Sequence, residues 1–139
     1  MAASRNGWFL APALVLGLAA PAAASSLLVE ATGISGDRGT ARLAVYSSRV
    51  SFPDSPRHVD ELPVGSGALR WQVHDLPTGD YAVLVWHDRD NDGELARSMF
   101  GAPQEPYGYS NAVRGNRPDW DEVRVALGPD PLTLRIQVD

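Results

Sequence analysis

Apolar and polar residues alternate with a period of two in several short stretches. From Thr40 to Ser47, Ala41, Leu43 and Val45 share one face, and Thr40, Arg42 and Ala44 share the other. From Leu69 to His74 the inward set is Leu69, Trp71 and Val73. Near the end, Leu132, Leu134, Ile136 and Val138 alternate with Thr133, Arg135 and Gln137. Asp121 to Leu127 repeats the pattern, with Val123, Val125 and Leu127 inward. Successive side chains of a strand point to opposite faces, so each stretch predicts a half-buried strand. Leu27 to Ile34 reads as a further strand, closed by the turn cluster Ser35-Gly36-Asp37-Arg38-Gly39.

Tyr81 to Trp86 is apolar at every position. Such a run predicts a central strand covered on one face by the core and on the other by a second layer or a neighbouring loop. Asp75 to Asp80 reads as a turn joining it to the preceding strand in a hairpin. Ser48 to Gly67 carries Pro53, Pro56, Pro63, Gly65 and Gly67 and reads as a long connection, with Phe52 tucked back onto the core. No window has helical period. The expected fold is all-β: one immunoglobulin-like or prealbumin-like β-sandwich of about seven strands.

Composition adds a location. Residues 1–24 have the form of a signal peptide: Arg5, an apolar stretch from Trp8 to Ala20, then Ala22-Ala23-Ala24. The apolar stretch is too short for a stop-transfer helix. The expectation is a periplasmic or secreted domain over residues 25–139, monomeric, with no membrane insertion after cleavage. The cut would leave 115 residues with 11 arginines against 17 acids; lysine is absent. An acidic surface repels phosphate backbones and anionic lipid, so nucleic acid is not an expected partner. Cysteine is absent, which excludes disulfides, thiolate metal sites and cysteine nucleophiles. The core alone must hold the domain.

The stretch from His87 to Asn111 carries the candidate chemistry. Asp88, Asp90 and Asp92 alternate and are followed by Gly93. Three carboxylates on one compact turn can converge on a hard divalent cation, and glycine lets the chain turn around it. Calcium is the candidate ion, with Asp88, Asp90, Asp92, Glu94 and Glu105 as its ligands. Glu94 would contribute through its backbone carbonyl. A helix–loop–helix site also uses the ninth and twelfth positions, which here are Ala96 and Met99. The bland reading is a turn built from the commonest turn residues.

Phe100 to Asn111 is rich in proline, glycine and tyrosine. A loop of that length in a compact domain is functional or packed by its own side chains. Tyr107, Tyr109, Asn111, Arg114 and Trp120 are the candidate contacts for a small ligand, a carbohydrate or an envelope protein. In the other reading, the tyrosines cap the sandwich end and Glu105 pairs with Arg114 or Arg117.

These motifs carry a resemblance. Pro77, Gly79, Tyr81 and Ala82, then His87-Asp88, the Asp90/Asp92/Gly93 turn, Phe100-Gly101, Pro103, Glu105 and Tyr107 to Asn111, resemble the secreted bacterial family called domain of unknown function 2141. The resemblance extends through Pro118, Trp120 and the last two strands. It implies a small exported β-sandwich and no assigned reaction. This chain departs from the family pattern at Ala96, where an acid is usual, and at Ser98, where asparagine is usual.

Enzyme chemistry has one candidate. His87, Asp88 and Ser110 could be assembled as a nucleophile triad of a small periplasmic hydrolase. No G-x-S-x-G turn surrounds Ser110, His74 lies on a wet face, and His58 sits in the proline-rich connection. The preferred reading is non-catalytic, with His87 bonded to backbone.

Overall fold

The computed structural model describes residues 23–65 and 68–139, together with positions 17, 19 and 20. The signal-peptide reading of residues 1–24 therefore falls mostly outside the described residues. The chain runs β1 (Ala24–Thr32), β2 (Thr40–Tyr46), β3 (His58–Pro63), β4 (Leu69–Pro77), β5 (Gly79–Asp88), β6 (Tyr107–Tyr109), one-turn helix α1 (Trp120–Val123), β7 (Val125–Leu127) and β8 (Leu132–Gln137). A single 3-10 turn at Ser110–Ala112 links β6 to the segment before α1.

Two sheets face each other. One has the order β4-β1-β8; the other runs β3-β2-β5-β6, with β7 also paired to β5. The neighbours β1 and β8 are parallel. The inward residues of the alternating stretches meet as expected: Leu27 and Val29 from β1, Leu43 and Val45 from β2, Trp71 and Val73 from β4, and Ile136 from β8. This all-β sandwich bears out the expected class.

Three expectations are corrected. First, β4 and β5 do not form a hairpin. β4 pairs with β1 and β5 pairs with β2. Thr78 alone separates the two strands, fewer than the two residues of the tightest hairpin loop. The chain crosses from one sheet to the other instead, and the Tyr81 hydroxyl donates to the Pro77 carbonyl at 2.7 Å across the corner. Second, the proline-rich connection contains β3, paired to β2 from Val45↔His58 to Thr40↔Pro63. Proline bounds this strand, and Asp60 and Glu61 keep it polar, as an edge strand requires. Third, Asp121 to Val123 is helical. The Asp119 amide donates to Glu122 Oε2 at 2.8 Å, the arrangement of a capping box, and it closes one turn before β7.

β5 explains its own sequence. Tyr81, Val83 and Val85 face the core between the sheets. Ala82, Leu84 and Trp86 face the opposite way and are covered by a second cluster containing Tyr109, Trp120 and Val123, with Phe52, Leu95, Tyr107 and Val113 packed against it. The long segment after β5 thus folds back over the outer face of its sheet. β6 closes the rim: it pairs with β5 on one side, while Tyr107 exchanges amide–carbonyl bonds with Asp139 at 3.3 Å on the other.

Candidate functional site

β5 delivers Asp88 to the sandwich rim with no exposed surface. Its Oδ2 accepts from Arg42 Nε at 2.5 Å and from the Gly93 amide at 2.9 Å, and its Oδ1 accepts from the Asp92 amide at 3.2 Å. Asn91 and Gly93 hold the left-handed φ values, 58° and 84°, that fold the turn around this carboxylate. Buried Glu105 ties down the other side, accepting the Arg89 amide at 2.8 Å and the Ala96 amide at 3.1 Å. It pairs with neither Arg114 nor Arg117, contrary to that reading of the sequence.

Carboxylate oxygens of Asp88, Asp90 and Glu105 lie within 4.8 Å of one another. Three of the five ion residues expected from the sequence are therefore brought together. Asp92 Oδ1 instead accepts the Glu94 amide at 2.9 Å, and the Asp92 carboxylate lies outside the group. Burial pushes the Asp88 carboxyl up, but the Arg42 and Gly93 hydrogen bonds outweigh it and leave it below its ordinary value. Asp90 goes the other way. The Asp92 amide pulls it down, but desolvation by its neighbours, the Asp88 carboxylate and the charges of Asp92 and Glu105 together hold it above its ordinary value. The group carries more negative charge than Arg42 alone balances.

His87, Asp88 and Ser110 do not form a triad. His87 Nε2 lies 2.7 Å from the Arg38 carbonyl, the backbone bond expected of it. Ser110 is buried; its Oγ accepts the Val83 amide at 3.0 Å and donates to the Val123 carbonyl at 2.5 Å. Val83 and His87 are four residues apart on one strand, about 13 Å at the usual rise. The serine is a clasp between β5 and α1.

The aromatic segment forms a groove. Phe52 stands edge-on to Tyr109 with ring centroids 6.2 Å apart and is tilted against Trp120 at 6.1 Å. These three rings floor a cavity of about 460 Å3 whose walls include Arg49, Arg97 and Arg117. Pro53, Asp54, Asn116, Pro118 and Asp119 complete the lining. That volume falls within the range of small-molecule sites. Two of the five contact residues expected from the sequence, Tyr109 and Trp120, line it.

The other three do not line it and instead brace the segment around it. The Tyr107 hydroxyl donates to the Gly115 carbonyl at 3.2 Å. Arg114 donates to the Tyr107 carbonyl and pairs with Asp139 at 2.5 Å. Asn111 adopts a φ of 61° and donates to the Glu122 and Arg124 carbonyls at 3.0 and 2.9 Å. Sequence reasoning missed Arg49 and Arg97 and gave Arg117 only a possible partner in Glu105. The available signal was three arginines in irregular segments of an acidic chain.

A family model described as "Uncharacterized protein conserved in bacteria (DUF2141)" matches residues 29–135. The chain belongs to the DUF2141 family. No curated protein and no solved structure matches it. Both departures from the family pattern have visible settings in this DUF2141 chain. Ser98 Oγ accepts the Phe100 and Ala102 amides at 3.3 and 3.2 Å, work that an asparagine side chain also does. Ala96 adjoins Glu105 through its amide but adds no carboxylate to the acidic group.

Proposed function

We propose that this DUF2141 chain is an exported, non-catalytic β-sandwich that binds a small ligand in the groove floored by Phe52, Tyr109 and Trp120. The carrying observation is the cavity itself: about 460 Å3, beside three aromatic rings, at the rim where the post-β5 segment closes over the sheet. Aromatic floors with a few placed polar groups are how folds hold small molecules. No catalytic constellation stands beside it among the described residues. A thermal-shift screen of small aromatic acids, aromatic amides and monosaccharides tests the reading. Binders should raise the melting temperature of the wild type, and Phe52→Ala should lose that rise while circular dichroism shows it folded. Rises that survive Phe52→Ala unchanged would place binding elsewhere.

Calcium at Asp88, Asp90 and Glu105 is the second part of the proposal, supported by the convergence of their oxygens within 4.8 Å. It would stiffen the turn that starts the groove-forming segment. Calcium should raise the melting temperature, and Asp90→Asn should remove the response; an equal melting temperature in chelator and in calcium counts against it.

A partner protein is an alternative occupant of the same rim. Met99 and Phe100 are 92% and 87% exposed on a tight turn, where Ser98 accepts the Gly101 amide at 2.9 Å. Their removal would then abolish capture of that partner while leaving the groove intact.

A further inference from the structure

The groove reading says where a ligand sits; the charges on its wall say what kind. We infer, resting on that reading, that the groove takes a small organic oxyanion, a carboxylate or phosphate carried on a flat ring. The chain has a formal net charge of −5, yet three arginines against two aspartates line this one cavity. Arg49 is neutralised by Asp121 at 2.5 Å. Arg97 and Arg117 have no carboxylate within ion-pair distance among the described residues.

Arg97 is nevertheless fixed in place. Its Nη1 donates to the Gly101 carbonyl at 3.0 Å and to the Asn116 carbonyl at 2.7 Å. Both acceptors are neutral, and so is the Tyr109 hydroxyl that the Arg97 side chain also hydrogen-bonds, so they orient the guanidinium without cancelling its charge. Arg117 meets it at the same place: a Cβ built on Gly101 would lie 3.8 Å from Arg117 Nε. Two guanidinium groups thus converge on Gly101 beside an aromatic floor. Like charges brought together cost free energy unless an anion sits between them, and a planar guanidinium matches carboxylate or phosphate in a bidentate fork. The rings supply the apolar face for the ligand body.

Three probes of one shape separate the possibilities: benzoate, phenyl phosphate and neutral benzamide, titrated into the wild type and into Arg117→Gln and Arg97→Gln at low and high salt. At low salt at least one of the two anions should bind ten-fold or more tightly than benzamide. That preference should shrink at high salt and fall to near equality in Arg117→Gln, with an unchanged melting temperature. Preference for benzoate or for phenyl phosphate tells a carboxylate ligand from a phosphate one. Benzamide binding as tightly as both anions, with Arg117→Gln indifferent, overturns the oxyanion inference and leaves the groove as a site. Failure of all three probes to bind overturns the groove reading with it.

Discussion

At Asp88 a carboxylate with no exposed surface faces the guanidinium of Arg42, which also reaches Glu61 on β3 at 2.5 Å. Because its pKa is held below the ordinary 3.8, ionised Asp88 favours the fold above that value. The contribution is lost as pH falls through the lower folded value. Acid unfolding followed by circular dichroism should therefore steepen below about pH 4, and Asp88→Asn should flatten that limb. The same variant leaves Arg42 short of a partner and should cost about 2–4 kcal/mol in urea denaturation at neutral pH. Asp90 has the opposite sign. Its raised pKa means that its ionised form opposes folding, so Asp90→Asn should raise the melting temperature in chelator. Ser110→Ala should cost about 1–3 kcal/mol by stranding the Val83 amide and Val123 carbonyl. Under the hydrolase reading, the same change would instead abolish an esterase activity. The turn around Asp88 was legible from alternating aspartates and a glycine. The use of Asp92 on its own turn was not, because spacing does not say whether a carboxylate faces inward or caps the next amide.

Among the elements, β6 is the tightest fit. A Cβ on Gly108 would lie 2.2 Å from the Gln137 carbonyl oxygen and 2.7 Å from Ile136 Cγ2. Gly108→Ala should therefore push β6 off β8, lower the melting temperature and speed hydrogen exchange at the Tyr107 and Asp139 amides. Unchanged exchange there would mean that the rim is not closed by this contact. The long alternating strands were legible because one face is dry and the other wet. β6 was not, since Tyr107-Gly108-Tyr109 is too short to show a period and exists through its neighbours. β3 was hidden for a related reason: its residues are mostly exposed, and backbone pairing to β2 holds it. Helix α1 was masked by Val123 and Val125, whose spacing suits a strand, while the Asp119–Glu122 capping signal went unread.

For the whole molecule, two apolar layers share two neighbouring strands, β2 and β5. The inner layer lies between the sheets; the outer one is built from Ala44 and Tyr46 of β2, from β5, and from the chain that returns over them. The unbroken apolar run of β5 announced both layers. It did not announce the groove, because Phe52, Arg97 and Arg117 come from segments far apart in sequence that the fold brings together. The sequence put the contact surface on Tyr107, Tyr109, Asn111, Arg114 and Trp120; Tyr109 and Trp120 line the cavity, and the other three hydrogen-bond backbone carbonyls around it. Amide NMR of the wild type titrated with phenyl phosphate tests that placement most directly. The largest shifts should fall on Arg97, Arg117, Phe52 and the Trp120 indole N–H. Shifts concentrated instead at Met99 and Phe100, or on the wet face of β8, would contradict the groove as the binding site.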